Sequence, residues 1–174
     1  MVITLILLAI FLFADIYSKY YVEITLTEHK IVTAIPNVLD LTLEYNTGAA
    51  WSMFNDSTLF LAILSLIASI IIIVFIIKND WKTKKIYSLS TCLLLAGTAG
   101  NMIDRFFTVF DLREGVVDMI ILTPLDTVWD LITGSRFPVF NLADVFLVIG
   151  VVLLAIDILF LEERRNKKYG KSSS

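Results

Sequence analysis

Four long runs of apolar residues dominate the hydropathy pattern of this chain. A helix needs about 20 mainly apolar residues to cross the hydrocarbon core of a bilayer, and each run reaches that length. The pattern predicts a membrane protein of the α class, with one domain over residues 1–174 built around a bundle of four transmembrane helices. We place the spans at about residues 2–22, 57–77, 86–107 and 139–161.

The first run has the length of a signal sequence but lacks its flanking features. No basic residue precedes it, and Asp15-Ile-Tyr-Ser-Lys19 follows the apolar core where small residues would mark a cleavage site. We therefore expect this run to be a retained transmembrane helix.

The segment between the first two spans has the alternation of apolar and polar residues that is typical of β-strands. Residues 21–27 and 39–45 both show this period of two. Pro36-Asn37 supplies turn residues between them. We expect a small extracytoplasmic β-sheet against the outer membrane face.

The segment between the third and fourth spans contains a helical pattern too short to cross a membrane. Leu125, Val128, Trp129 and Ile132 are spaced to share one helical face, with Pro124 at the start and Gly134 beyond the end. We expect a short interfacial amphipathic helix over about 124–134, and we hypothesise that it acts as a lid.

Basic residues set the predicted orientation, because Lys and Arg are enriched in cytoplasmic loops. Nine of the 14 lie in the connection Lys78–Lys85 and in the tail after Leu161. Both termini are therefore expected in the cytoplasm, with a disordered basic tail over about 163–174. Residues 23–56 and 108–138 then lie outside.

The rest of the composition narrows the chemistry. Hydrophobic residues make up 57% of the chain and the mean hydropathy is +0.82, above the range of soluble domains. The net charge of −3 gives no reason to expect nucleic acid. One cysteine, Cys92, and one histidine, His29, leave no disulfide, zinc-ligand cluster or HExxH motif. We predict neither a metal nor a cofactor.

Ionisable residues within spans are costly and are candidates for function. With a rise of about 1.5 Å per residue, Asp15, Asn101 and Asp144 fall at one depth, in the outer third of a core of about 30 Å. They lie on three different predicted helices. This convergence favours a polar site near the outer membrane face.

Spacing within the helices adds neighbours to this site. Gly97, Gly100, Asn101 and Asp104 share one face of the third predicted helix, where the glycines allow close helix approach. Asn141 lies three residues before Asp144 and shares its face. Asp15 and Lys19, four residues apart, are spaced to pair, and Asp104-Arg105 is spaced as a helix-end ion pair.

Asp118 lies in Val116-Val-Asp-Met-Ile-Ile-Leu122, an apolar stretch too short to span a membrane. Placed opposite Asp144, it would form two close carboxyls that cannot both ionise cheaply, so that the pair would hold one proton. Such a pair can activate water and protonate a carbonyl oxygen. The residues alone leave the pairing open, because Asp15 or Asp104 could also face Asp144.

Five motifs in order resemble the bacterial lipoprotein signal peptidase family, also called signal peptidase II. They are Asp15-x-x-Ser18-Lys19, Asn46-x-Gly48-Ala49-Ala50, Gly100-Asn101-x-x-Asp104-Arg105, Val116-Val117-Asp118, and Phe137-Pro138-x-Phe140-Asn141-x-Ala143-Asp144. Each motif alone is weak, whereas the ordered set is specific. Trp51 and Met119 stand where the family usually has Phe, and the segment between the two aspartates is longer than usual.

The resemblance implies an aspartic endopeptidase of the bacterial inner membrane, with its active site near the extracytoplasmic face. It implies a catalytic pair, Asp118 and Asp144, and cleavage of a diacylglyceryl prolipoprotein before its lipidated cysteine. It also implies inhibition by globomycin, and we expect contact with membrane lipid and a monomer. Supporting or substrate-contacting positions are implied at Asp15, Lys19, Asn46, Gly48, Asn101, Asp104, Arg105 and Asn141.

Two other classes of function fit the composition. A small transporter with a proton-relaying set of aspartates would show inverted repeats or broken spans, and neither is visible in the sequence. A purely structural membrane subunit would leave the convergence of polar residues unexplained.

Overall fold

The structure is a computed structural model that describes residues 2–48 and 58–169, with side chains described through Arg165. In this part of the chain, the helices and strands follow one another as α1 (Val2–Thr25), β1 (Val32–Ile35), β2 (Leu39–Asn46), α2 (Thr58–Ile77), α3 (Lys85–Val109), β3 (Val116–Leu122), α4 (Thr123–Thr133), α5 (Leu142–Ile156) and α6 (Glu162–Tyr169).

Four helical segments are long and apolar enough to cross a membrane, as the hydropathy pattern predicts. They are α1, α2, α3 and a continuous segment from Leu142 to Arg165 that includes α5. Most apolar side chains of α2 are exposed, including Ile70 and Ile71. A face of this kind is expected to contact lipid.

Helix α3 is the central span, with the largest buried share of the four. It packs against α1, α2 and α5. A Cβ atom at Gly97 would collide with the carbonyl oxygen of Ala143 and lie 2.7 Å from Leu147 Cγ. A Cβ at Gly100 would collide with the Asp15 carboxylate. The glycines therefore allow the close helix contacts that their spacing predicted.

The three strands form an antiparallel sheet in the order β1-β2-β3. Val22 at the end of α1 packs against Leu43, Val117 and Met119 of the sheet. Because side chains alternate across a strand, Val117 and Met119 share one face of β3, and Asp118 lies on the opposite face.

The first predicted strand was wrong. Residues 21–25 continue helix α1, and the strand that pairs with β2 is Val32–Ile35. The alternating pattern was misleading because it did not take account of the residues before it. Lys19 and Val22 are three residues apart, so in a helix both side chains lie on the same buried face. The predicted Pro36-Asn37 turn does connect β1 and β2, and Asn37 has a left-handed φ of 61°.

Strand β3 was not predicted as a strand. Its residues form one apolar run around Asp118, without the alternation that identifies a half-exposed strand. In the structure Val117 and Met119 on one face pack against Val22 of α1, Val116 and Asp118 on the other face are also buried, and Phe140 pairs with Ile120 along the edge of the strand. Burial on both faces explains the missing alternation.

The short helix between β3 and the last span agrees with its prediction. Helix α4 has Pro124 in its first turn and ends at Gly134, whose φ of 69° is left-handed. Leu131 and Ile132 on this helix are 82% and 74% exposed. Trp129 packs edge-on against Phe137, which ties α4 to the following loop.

The basic tail is more ordered than expected. Residues 162–169, predicted to lie mostly in a disordered tail, form helix α6 after a π-helical turn, Asp157–Leu161. Asp157 accepts two hydrogen bonds of 2.6 Å from the guanidinium of Arg165. This pairing of Asp157 with the basic tail fastens the start of α6 to the end of the bundle.

The packing of α3 against α5 makes a testable prediction. Gly97→Ala should lower the free energy of unfolding by about 1–3 kcal/mol, because the new methyl meets a backbone carbonyl that has no room to move. Gly150→Ala is the matched control, since its Cβ would meet the movable side chain of Leu94 at 2.9 Å and would approach a backbone atom, the Leu94 nitrogen, only to 3.1 Å. Thermal unfolding in detergent should rank Gly97→Ala below Gly150→Ala, and equal midpoints would contradict this packing account.

Candidate active site

Of the two predicted catalytic carboxyls, Asp118 is the more enclosed, with 4% of its surface exposed. Its Oδ2 accepts a 3.0 Å hydrogen bond from Asn46 Nδ2. Asn46 pairs with Val116 across the sheet, so it is a diagonal neighbour of Asp118 on the same face. The sheet thus fixes one side of the site.

Gly48 contributes through its backbone. Its N–H donates to Asn46 Oδ1 over 3.0 Å, which leaves the Asn46 Nδ2 group to face Asp118. The rest of this motif, including Ala49, Ala50 and Trp51, lies outside the described residues. The expectation that the small residues approach a bound peptide backbone therefore stays a prediction.

Asp144 enters the site from the first turn of α5. Asn141 is the N-cap of this helix, and its Oδ1 accepts from the Asp144 N–H over 3.1 Å. The Asn141 N–H donates in return to Asp144 Oδ2 over 3.1 Å. This reciprocal capping box fixes the backbone and the carboxylate together, and it leaves Asp144 half-buried.

Asn141 also joins the two carboxylates. Its Nδ2 group donates to Asp118 Oδ1 over 2.7 Å and to Asn101 Oδ1 over 3.1 Å. Both of its amide hydrogens are therefore used, one toward the sheet and one toward α3. Asn141 thus contacts both carboxyls, Asp118 through its side-chain amide and Asp144 through its backbone N–H.

Asn101, on helix α3, also binds the Asp144 carboxylate. Its Nδ2 donates to Asp144 Oδ1 over 2.8 Å, while its Oδ1 accepts from Lys19 Nζ over 3.0 Å. Because a lysine can only donate, this bond fixes the orientation of the Asn101 amide. The result is an N–H group aimed at the Asp144 carboxylate.

Lys19 is 1% exposed and has three partners. Besides Asn101, it pairs with Asp15 at 2.9 Å and with Asp104 at 2.8 Å. Asp15 Oδ1 also accepts from the Ala143 N–H over 2.9 Å, in the first turn of α5. The expected Asp15–Lys19 pair is present, and it connects α1 to both α3 and α5.

Arg113 was not among the predicted site residues. Its guanidinium pairs with Asp104 and, at 2.6 Å, with Glu23 near the end of α1. Glu23 also accepts a 3.3 Å hydrogen bond from the hydroxyl of Tyr45. The sequence signal was a cation in a predicted outer segment that is otherwise poor in Lys and Arg, five residues before Asp118.

The expected Asp104–Arg105 ion pair is wrong. Asp104 faces Lys19 and Arg113, whereas Arg105 donates from Nη1 to the hydroxyl of Ser65 on α2 over 3.0 Å. Successive helical residues point about 100° apart, since 3.6 residues make one turn. The two side chains therefore serve different neighbours.

The four converging carboxyls divide into two kinds. Asp15 and Asp104 each form salt bridges with buried cations. In the described residues, Asp118 and Asp144 form no salt bridge, and their hydrogen-bond partners are amides and a backbone N–H. Burial, followed by the charge of Asp144, raises the pKa of Asp118 to about 7 from its ordinary value of 3.8. The alternative pairings of Asp144 with Asp15 or Asp104 are disfavoured, because Lys19 occupies both.

Removal of the buried ammonium group should be strongly destabilising. Lys19→Met would leave Asp15 and Asp104 without their shared cation, at a cost on the order of 3–5 kcal/mol. Lys30→Met, which removes an exposed ammonium group, is the control and should change little. Thermal unfolding in detergent is the measurement, and similar midpoints for the two variants would contradict the role given to Lys19.

Comparison with known proteins places this chain in a family. A profile of the family described as Signal peptidase (SPase) II matches residues 7–160. A lipoprotein signal peptidase of Enterococcus faecalis is 37% identical over 161 residues, which are 92% of this chain and 88% of that protein. The lipoprotein signal peptidase of Clostridium acetobutylicum is 31% identical over 164 residues, 94% of this chain and 98% of that protein.

A solved structure agrees with the sequence comparison. A bacterial membrane enzyme determined by the in meso method at 2.3 Å resolution superposes with a TM-score of 0.76 and 29% identity. The match covers 100% of this chain and 94% of that one. With its four membrane-spanning helices, this chain belongs to the signal peptidase II family.

Proposed function

We propose that this chain is an aspartic endopeptidase that removes signal peptides from prolipoproteins, with Asp118 and Asp144 as its catalytic pair. The supporting observation is the division of the buried carboxyls. Asp15 and Asp104 form salt bridges with cations, while Asp118 and Asp144 both contact Asn141 and form no salt bridge among the described residues. Only the second arrangement suits a pair that shares one proton.

The environments of the two carboxyls suggest different roles. Asp118 is enclosed, and its raised pKa favours the neutral acid. Asp144 is more accessible, and N–H groups of Asn101 and Asn141 donate to its oxygens, which leaves those oxygens oriented toward the open side of the site. We assign the proton to Asp118 and the negative charge to Asp144.

These roles support a general acid–base hydrolysis. Asp144 takes a proton from water, whose oxygen attacks the scissile carbonyl carbon, while Asp118 gives its proton to the carbonyl oxygen. Breakdown of the tetrahedral intermediate cleaves the C–N bond, and the proton held by Asp144 passes to the leaving nitrogen. Asp118 then recovers its proton from the new carboxyl group, which restores the pair.

The amide side chains serve as positioning groups in this proposal. Asn141 fixes the separation of the two carboxyls, Asn46 orients Asp118 and Asn101 orients Asp144. Lys19 and Gly48 act one step further out by orienting the amides of Asn101 and Asn46. Precise orientation of this kind contributes to the rate because it is in place before the reaction.

The substrate proposal follows from the family. The relatives are named lipoprotein signal peptidases, and a diacylglyceryl prolipoprotein cleaved before its lipidated cysteine fits a site near a membrane face. Acyl chains in the outer leaflet would hold the scissile bond at the depth predicted for Asp144. The exposed apolar side chains of α4, including Leu131 and Ile132, suit contact with lipid or with that substrate. Inhibition by globomycin, the extracytoplasmic site and cytoplasmic termini in the bacterial inner membrane belong to the same proposal.

Single substitutions of the pair test the proposed chemistry. Asp118→Asn and Asp144→Asn should each lower the cleavage rate of a diacylglyceryl prolipoprotein by on the order of 10³-fold or more, because the two residues act as a unit. Asp130→Asn, which alters an exposed carboxyl on α4, is the matched control. Gel mobility of substrate and product reports cleavage, and thermal unfolding confirms that each variant is folded. Wild-type turnover by either folded variant would refute the assignment.

The pH dependence tests which residue carries the proton. Because the pKa of Asp118 is raised to about 7, the neutral acid is lost as the pH rises through that value. The ratio kcat/KM should therefore fall on the alkaline side of about pH 7. A rate that stays constant from about pH 6 to about pH 8.5 would contradict Asp118 as the general acid.

The same raised pKa makes a prediction for stability. The folded protein binds a proton at Asp118 that the unfolded chain releases above 3.8, so stability should decrease as the pH rises from that value toward about 7. Asp118→Asn should weaken this decrease. The measurement is the thermal midpoint as a function of pH for both proteins.

A further inference from the structure

A basic cleft lies at the end of the bundle opposite the catalytic pair. It has a volume of about 310 Å³ and is formed by the connection between α2 and α3 together with the end of the last span. Ile86 in this cleft precedes Asn101 by 15 residues on α3, which corresponds to about 22 Å along the helix. The cleft is thus separate from the site around Asp118 and Asp144.

Three cations line this cleft without a salt bridge among the described residues. They are Lys82, Lys85 and Arg164, all exposed. A fourth cation, Arg165, is occupied by both oxygens of Asp157. The cleft therefore has an excess of positive charge that the protein itself does not neutralise.

Three carboxylates flank the cleft without lining it, namely Asp80, Glu162 and Glu163. Asp80 accepts a 3.0 Å hydrogen bond from the backbone N–H of Lys82 and a 3.3 Å bond from the Thr83 hydroxyl. These bonds lower the pKa of Asp80 and keep it ionised. Among the residues that line the cleft, four cations face one carboxylate, Asp157, so the flanking carboxylates reduce the positive charge around the cleft while its lining stays cationic.

The cleft combines this charge with an apolar surface. Ile86 and Leu161 line it between the cations. The π-helical turn Asp157–Leu161 forms one wall. Turns of this kind are rare in proteins, and those that occur are often found at functional sites. Ile158, Leu159 and Phe160 of this turn are exposed apolar side chains that continue from the cleft along the membrane surface.

We infer that this cleft binds the phosphate headgroup of an anionic phospholipid, with the acyl chains lying along the apolar surface of the last span. Basic clefts at the ends of membrane helices attract anionic lipid, and the cytoplasmic leaflet is rich in it. A free phosphate would use the cations but not the adjoining apolar side chains. This inference rests on the cytoplasmic placement of this end of the bundle given in the proposed function, and it is independent of the peptidase mechanism.

Two double variants from the same connection provide a matched test. Lys82→Gln/Lys85→Gln removes two cations that line the cleft, and Lys78→Gln/Lys84→Gln removes two that do not. Both pairs change the net charge equally at one membrane face. The full-length protein in nonionic detergent is titrated with phosphatidylglycerol, with phosphatidylcholine and with inorganic phosphate, and its thermal midpoint is followed.

Phosphatidylglycerol should raise the midpoint of the wild type more than phosphatidylcholine does. The concentration needed should increase by about tenfold to thirtyfold in Lys82→Gln/Lys85→Gln and stay unchanged in Lys78→Gln/Lys84→Gln. Equal losses in both double variants would overturn the inference in favour of general surface charge. An equal response to inorganic phosphate would overturn the lipid assignment, and no response to either anion would overturn the site itself.

Discussion

The buried ammonium group of Lys19 is the interaction on which the rest of the site depends. A charged lysine among transmembrane helices is costly unless its donors are all used, and here Asp15, Asp104 and Asn101 use them. Its ammonium group forms ion pairs with two carboxylates at once, and the Asn101 amide is fixed in one orientation. That orientation directs an N–H group to Asp144.

The consequence is an unequal division of charge within a small volume. Four carboxyls converge, and of these only Asp15 and Asp104 form salt bridges with Lys19 or Arg113 in the described part of the chain. The remaining pair meets in an environment of amides, where burial raises the pKa of Asp118 to about 7. The structural ion pairs therefore separate the carboxyls that support the fold from those available for proton transfer. The same division fits the three asparagines around the pair, Asn46, Asn101 and Asn141, since a neutral amide can orient a carboxylate without fixing its charge.

Much of this arrangement could be predicted from the sequence, because membrane spans leave a strong signal. The four spans follow from length and hydropathy, and equal depth brought Asp15, Asn101 and Asp144 together before any contact was known. The sheet was harder, because residues 21–25 fit a strand and a helix equally well in local pattern. Only their packing decided for the helix. Strand β3 gave no alternation since both of its faces are covered, and Arg113 needed the fold to bring it to Asp104 and Glu23.

The central claim is that Asp118 carries the shared proton while Asp144 is ionised. Infrared difference spectroscopy of the folded protein tests it directly by following the band of a protonated carboxyl. The account predicts a band present below about pH 6, lost above about pH 8 and absent in Asp118→Asn. A band that persists in Asp118→Asn and disappears in Asp144→Asn would contradict it.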